Sequence, residues 1–577
     1  MSRQLNGIAA GGGIAIAPAY LLGVPDLSVK QQHTDNVNHE VARLHDSFAI
    51  TANELREICQ RAHAQLNKQA AVVVDMQLQL VLADDFQQTI EHQIVANKYT
   101  AGYAVKKETD RWLAENASSE QGLHQRRIAM QDLFKRLMSH ILGIELPDPS
   151  RLKHQAIIVA HSLTPTDIAR FDRRYVVGIV SDLGGSTSHF SIMTKEKAIP
   201  GVVGTKTATR EILDGTSLIV DGIHGRVLLS PTPAEIDEYE KKAGDYAREM
   251  ESLGVLKHQR TVSADGRHFE IGANLFMPDE IESAKNSGAE GIGLMRSEAL
   301  FMGRDTLPSE EEQFLAYKKI VADMTPERVI IRTLDIGGDK PIAAVQTPTE
   351  DNPFLGMRSL RFSLAHPEIM RPQMRALLRA SVYGRLAVMF PMVSTLDEFL
   401  AARKVLEEER QKLQAKGIGC ANQIEVGMMV EVPAAVEMAD QLAQYADFFS
   451  IGSNDLTQYM FAADRGNSQV AHLYQTLHPA VLRAIKHTVD AAHAEGKWVG
   501  ICGEMANNSL ATPLLLGMGI DEFSMNSTSI LPIRSLIGEL HVRQLQPLVH
   551  QAMNARNAKE VRQMIIGRVP ALKNFNF

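Results

Sequence analysis

Cysteine is nearly absent from this chain: 577 residues contain only Cys59, Cys420 and Cys502, with no CxxC pair. That excludes a disulfide framework and a tetrahedral thiolate–zinc site, and it predicts a reducing, cytoplasmic setting. No apolar run reaches the roughly 18–20 residues of a membrane-spanning helix. The N-terminal stretch MSRQLNGIAAGGGIAIAPAY is interrupted by glycines and lacks the design of a signal peptide. Positive charge is in deficit as well. A formal net charge of −8 argues against nucleic acid or an anionic membrane as the main partner. Gly11–Gly13 has neither P-loop nor dinucleotide spacing and reads as a turn, and no P-loop occurs elsewhere.

The length predicts several domains. Residues 1–22 are β-leaning, as in IAIAPAYLL. From about 33 to 143 apolar residues recur at three- and four-residue steps with little glycine, which predicts a bundle of about four helices. Short β-rich runs return over about 153–230 (HQAIIVAHSL, YVVGIVSD, SLIVDGIHGRVLLSP), so residues 1–22 and 144–230 are expected to form one α/β domain interrupted by the bundle at 23–143. Residues 231–262 read as a charged helical linker.

The remainder, 263–577, carries eight strand-like segments, each followed by a helical stretch: HFEIGANL, GIGLMRSE, VIIRTLDIGG, LAVMFPMVS, IEVGMMVEVPAA, DFFSIGSNDL, WVGICGEMA and DEFSMN. Eight βα repeats predict a TIM (β/α)8 barrel, with a doubly wound open sheet as the alternative. Barrel sites lie at the C-terminal strand ends. Here those ends carry Asn274, Arg296 with Glu298, Arg332 with Asp335, Glu431, Asn454 with Asp455, and Cys502 with Glu504. Glu431 and Asp455 suit Mg²⁺, a hard ion that takes one or two carboxylates and keeps waters. Arg296, Arg332, Lys340, Arg358 and Arg465 form a cationic set matched to phosphate and carboxylate oxygens, so a small, highly anionic substrate is expected. Cys502 reads either as a small buried hydrophobe or as a thiol that exchanges a proton with a substrate carbon.

The decamer GGSTSHFSIM, residues 184–193, offers a glycine turn, a possible cap at Ser186 or Thr187, and His189 in the first turn of a helix. The positive helix end favours a neutral imidazole and welcomes an attached phosphoryl group. Alone, the motif leaves a structural and a chemical His189 both open.

GGSTSHFSIM resembles the phosphohistidine motif of the phosphoenolpyruvate-utilising enzymes. GLMRSEALFM, RTLDIGGDK, NPFLGMRSLR, GMMVEVPAA, FFSIGSNDLTQY, DRGN and GICGEMA resemble that family's Enzyme I branch over essentially the full length. The resemblance implies a swivelling phosphohistidine domain, a helical domain that docks the phosphocarrier HPr, and a barrel that binds phosphoenolpyruvate and Mg²⁺ and forms a homodimer. It implies His189 as phosphoryl acceptor, and Arg296, Arg332, Lys340, Arg358, Asn454 and Arg465 as phosphoenolpyruvate ligands. Glu431 and Asp455 would be the Mg²⁺ ligands and Cys502 the acid that protonates C3 of enolpyruvate. The chain departs from the family pattern at Ser186, Phe190 and Ser453. With no sensory domain ahead of residue 1, the sugar-uptake branch is expected rather than the nitrogen-related one. Three alternatives share parts of this pattern. An ATP-dependent synthase or dikinase would need a nucleotide domain. A Mg²⁺-dependent lyase acting on oxoacids would leave the histidine domain without use. An idle regulatory homologue would have little need of an intact rim.

Overall fold

The computed structural model describes the chain apart from residues 1, 24, 66–67, 116–120, 173, 185–198, 303–305, 338–349, 466, 468 and 575–577. His189, with Ser186 and Phe190, and Lys340 therefore lie outside the described residues. Two compact units are present, residues 1–249 and 250–577.

The first unit is built on an eight-stranded sheet of β1 (Arg3–Asn6), β2 (Ile8–Gly11), β3 (Ile14–Leu21), β4 (Ala156–Ala160), β5 (Val176–Ser181), β6 (Gly201–Val203), β7 (Ser217–Asp221) and β8 (Arg226–Leu229). Its order is β1-β8-β7-β3-β4-β5-β6-β2, so the first eleven residues supply both edges. The change of edge falls at Gly7, whose N–H donates to Gly225 O at 2.8 Å. β3, β4, β5 and β6 pair in parallel, and the remaining pairings are antiparallel. Both faces of the sheet are covered. One buries Val159, Val180, Val202 and Val220, the other Ile158, Ile179 and Val203.

Between β3 and β4 the chain forms α1 (Val37–Gln65), α2 (Lys68–Leu82), α3 (Asp84–Asn97), α4 (Ala101–Glu115) and α5 (Gln121–Leu142). The expected bundle is present with five helical segments rather than four. α2 is the surplus one. Its KQAAVVVDMQLQLVL carries a valine run that obscures the helical period. One of its polar residues, Gln77, is fully buried and satisfied: it donates to Asp132 (3.0 Å) and Ala129 O (3.3 Å) and accepts from Thr166 (3.1 Å). Leu44, Leu55, Ile90, Ile94, Leu133 and Leu137 form the apolar interior.

The second unit contains the eight expected strands: β10 (His268–Leu275), β11 (Gly291–Arg296), β12 (Arg328–Arg332), β13 (Arg385–Phe390), β14 (Glu425–Val430), β15 (Phe448–Gly452), β16 (Trp498–Cys502) and β17 (Glu522–Met525), preceded by a two-residue β9 (Thr261–Val262). All eight pair in parallel, and β10 pairs with both β11 and β17, which closes the barrel. The strands are buried on both faces, which is why they read as continuous apolar runs. The barrel's base is ionic. Arg328 bonds Glu270 and reaches Glu425 at 3.0 Å, and its guanidinium stacks 3.8 Å over Trp498.

Outside the barrel, helices Glu310–Met324, Pro367–Ala380 and Leu396–Ala415 are laced by Arg371, Arg375 and Arg379, four residues apart on one helix face. Glu409 is the fully buried acid among them. It accepts from Arg371 (2.6 Å), Arg375 (2.8 Å) and Lys412 (2.7 Å). Burial pushes its pKa up, but those three cations outweigh burial and bring it down to about 2. A carboxylate lowered in the folded state stabilises above its unfolded pKa and loses that contribution as pH falls through the folded value. Glu409→Gln is therefore expected to cost about 1–2 kcal/mol at pH 7. The difference from wild type should shrink steadily between pH 4.5 and pH 2. Denaturant unfolding across that range checks it; a pH-independent difference contradicts it.

Candidate functional site

The C-terminal ends of the barrel strands gather the charged groups. Arg332 ends β12 and is 5% exposed. Its Nη2 forms a short ion pair with Glu298 and reaches Asp335 Oδ2 at 3.0 Å. Asp335 in turn accepts from Ser359 Oγ and from Arg358 Nη2 (3.4 Å), and Arg358 Nη1 donates to Tyr459 OH at 3.0 Å. Tyr459 is held by its own donation to Phe354 O, 2.6 Å away. A continuous chain thus runs Glu298–Arg332–Asp335–Arg358–Tyr459. Both arginines have their pKa raised further: burial works against the charge, and Asp335 with Glu298 or Asp455 more than compensates. Each keeps one buried Nε–H without an acceptor among the described residues.

Glu431 follows β14 and is 2% exposed. Its Oε1 accepts from Met392 N at 2.7 Å, a bond made possible by the left-handed backbone of Met392 (φ 55°). Burial first, then the charges of Asp455 and Asp335, push its pKa up to about 8. Asp455 stands in the first turn of helix Ser453–Phe461, with Oδ1 buried, free of hydrogen bonds and 3.9 Å from Arg465 Nη1. The strand end leading to it is Gly452, where a Cβ would lie 2.6 Å from Glu431 Oε2. Among the described residues no group of three or more His, Cys, Asp or Glu is assembled for a metal. A buried carboxyl whose proton affinity is raised, beside a second carboxylate oxygen with no hydrogen bond, is nevertheless what a hard divalent cation seeks, with substrate and water oxygens completing its shell. Glu431 and Asp455 fit such an ion.

Asn454 Oδ1 accepts from Glu504 N (3.0 Å) and Tyr474 OH (3.4 Å), which ties the β15 end to the β16 end. Cys502 ends β16, buried, its Sγ 3.6 Å from Ile451 O. Burial and then Glu431 push its pKa up to about 12, so the thiol stays protonated at neutral pH. Arg296 ends β11 in register with Arg332 and is half-buried, and its charge acts on Glu280. The structure thus brings Arg332, Arg358, Glu431, Asp455, Arg465 and Cys502 into one interacting set, with Asn454 at its edge and Arg296 one strand away. Tyr459, Ser359 and Tyr474 were not singled out from the sequence. Tyr459 was reachable, because it lies four residues after Asp455 and shares its helix face.

Three family models match in sequence order: the N-terminal part of PEP-utilising enzymes over residues 6–127, their mobile domain over 152–225, and their PEP-binding domain over 250–542. The phosphoenolpyruvate-protein phosphotransferase of Geobacillus stearothermophilus is 46% identical over 561 residues, covering 97% of each chain. That of Listeria monocytogenes is 44% identical over 566 residues, covering 98% of this chain and 99% of its own. The Bacillus subtilis protein is 44% identical over 561 residues, covering 97% and 98%. Matched end to end, and with the acid–arginine rim in place, the chain belongs to the family of PEP-utilising enzymes, in its branch of phosphoenolpyruvate-protein phosphotransferases.

Proposed function

We propose that this protein takes the phosphoryl group of phosphoenolpyruvate onto His189 and passes it to a phosphocarrier protein of the HPr type, the first step of sugar uptake by a phosphotransferase system. The observation that carries the reading is the pairing, in one chain related over its full length to such enzymes, of a GGSTSH segment with a rim whose two buried arginines keep unsatisfied donors. An idle homologue or a barrel lyase acting on oxoacids is the less favoured reading, since neither requires both parts.

Phosphoryl transfer needs positioning and charge neutralisation more than covalent help from the protein. Arg332 and Arg358 are held rigid by Asp335, so their free N–H groups are preorganised for phosphoryl oxygens. Arg296, Lys340, Asn454 and Arg465 complete the anion site. Glu431 and Asp455 would hold Mg²⁺, which, when bound, neutralises phosphoryl charge and orients the substrate. His189 attacks phosphorus in line, the P–O bond breaks, and the enolate of pyruvate leaves. The protonated Cys502 thiol then supplies a proton to C3. A histidine that meets both a barrel rim and a carrier protein has to move between them. Residues 231–262, which span the join of the two units, are the proposed hinge, between a phosphohistidine domain (1–22 and 144–230, interrupted by a carrier-docking bundle at 23–143) and a barrel at 263–577. Family resemblance supports a homodimer. Three unpaired cysteines, and the lack among the described residues of a helix able to cross a membrane, support a cytoplasmic location.

Incubation with phosphoenolpyruvate and Mg²⁺, without ATP, is expected to place acid-labile phosphate on one histidine, and His189→Ala should abolish the label. Wild-type protein that stays unlabelled refutes the function. A second expectation concerns the cation. Gly452 has an ordinary φ (−79°), so Gly452→Ala acts through its methyl, which crowds the Glu431 side chain and Met429 Cγ. Calorimetry should find Mg²⁺ affinity lowered by roughly tenfold to a hundredfold, and the overpacking should lower the unfolding midpoint as well. Unaltered affinity would remove Glu431 from the cation site.

A further inference from the structure

One acid in the barrel interior has no place in the mechanism above. Glu522 opens β17, is 1% exposed, and has neither carboxyl oxygen hydrogen-bonded. Room for it is made by glycines on three other strands. A Cβ at Gly272, Gly293 or Gly500 would collide with the Glu522 carboxyl. Burial, then the charge of Glu270, raise its pKa well above the ordinary carboxyl value, and the charge of Arg328 only partly opposes them. An unpartnered carboxylate in such a place would cost several kcal/mol, so the group is held as a neutral acid.

Its position in the barrel is specific. Ser450 on β15, Gly500 on β16 and Glu522 on β17 form one row across neighbouring strands. The middle member has no side chain, and Glu522 Oε2 fills the space a side chain there would take. Ser450 is fully buried, its hydroxyl has no hydrogen-bond partner among the described residues, and it stands close enough to the Cys502 thiol to act on its proton affinity. Cys502 is two residues beyond Gly500 on the same strand and the same inner face. The neutral acid, the hydroxyl and the thiol therefore occupy adjoining places beneath the rim.

We propose that Glu522 reloads Cys502 with a proton through the Ser450 hydroxyl after each protonation of enolpyruvate. The inference rests on the function proposed above. When the Cys502 S–H proton forms the new C3–H bond, the electron pair stays on sulfur. The Ser450 hydroxyl, held by no hydrogen bond, turns to give its proton to the thiolate and then takes the Glu522 O–H proton. The carboxylate left behind faces Arg328 and regains its proton from water at the barrel base, where the Glu270 and Glu425 side chains are 21% and 31% exposed. Glu522 acts through Cys502 and does not touch substrate. It keeps the acid loaded from below while substrate and product occupy the rim above.

The test is phosphoenolpyruvate–pyruvate exchange in D2O, which needs no carrier protein. Carbon-labelled pyruvate measures phosphoryl exchange. Deuterium in the pyruvate methyl group measures how often the Cys502 proton is replaced between cycles. Glu522→Gln, close in size, should keep carbon exchange within about threefold of wild type and lower deuterium incorporated per exchange event at least tenfold. Glu522→Asp should recover part of it. Ser450→Ala, a smaller change in the same row, should show the same split, which keeps the test available if Glu522→Gln does not fold. A merely structural Glu522 would slow both readouts together, and that outcome overturns the relay, as does an unchanged ratio in both variants. A wild-type ratio already as low as the variants' does the same. Wild type that exchanges no carbon at all refutes the proposed function instead.

Discussion

Two buried arginines share one carboxylate, and the rim is organised around that fact. Asp335 receives Arg332 on one oxygen and Arg358 with Ser359 on the other. Moving a guanidinium into a low-dielectric interior costs several kcal/mol unless it is paired and hydrogen-bonded. Glu298 and Tyr459 finish the pairing from either side. What results is fixed rather than neutral. Each guanidinium is immobilised through its terminal nitrogens and still has an Nε–H to offer. A site for a transferring phosphoryl group profits from donors already aligned, because no reorientation is then needed as charge develops.

The barrel supplies the precision that such pairing demands. Arg332, Glu431 and Cys502 stand at or next to the ends of three parallel strands whose register is set by backbone ladders, so their separations cannot drift. Backbone details then trim the approach. The absent side chain at Gly452 admits the Glu431 carboxylate, and the left-handed turn at Met392 aims an N–H at its other oxygen. Gly503, at φ 87°, lets the chain turn sharply after Cys502, where a Cβ would strike Ser453 Oγ and Asn454.

Legibility in the sequence followed the range of the interaction. The eight barrel strands were readable because each is a short apolar run, six of the eight with a polar or ionisable group at or near the end, a pattern that is local in the chain. Arg332, Glu431, Asp455 and Cys502 were readable for the same reason: their position at a strand end is local information. Helix α2 merged into its neighbours, because a valine run carries β and helix signals at once. Long-range features were closed to sequence reading. That Asp335 joins Arg332 to Arg358 depends on a residue 23 positions further along the chain. That Glu522 points into free space depends on Gly272, Gly293 and Gly500, each on a different strand. DEFSMN looks like any buried strand until those three glycines are placed beside it.

Desolvation acts on Arg332, Arg358, Glu431, Cys502 and Glu522 alike, yet it leaves them in opposite states. Arg332 and Arg358 stay charged because acids sit within hydrogen-bonding reach. Cys502 and Glu522 stay protonated because the charges nearest them include Glu431 and Glu270, which oppose ionisation. Glu431 lies between, raised to about 8, where a proton and a divalent cation compete for the same oxygens. The same low dielectric thus sorts the rim into permanent cations, a cation-seeking carboxylate and neutral proton donors, and the sorting variable is only which counter-charge the fold places alongside. An enzyme that must bind a multiply charged anion and then protonate carbon needs all three kinds of group within one small volume, which a parallel barrel can supply from neighbouring strand ends.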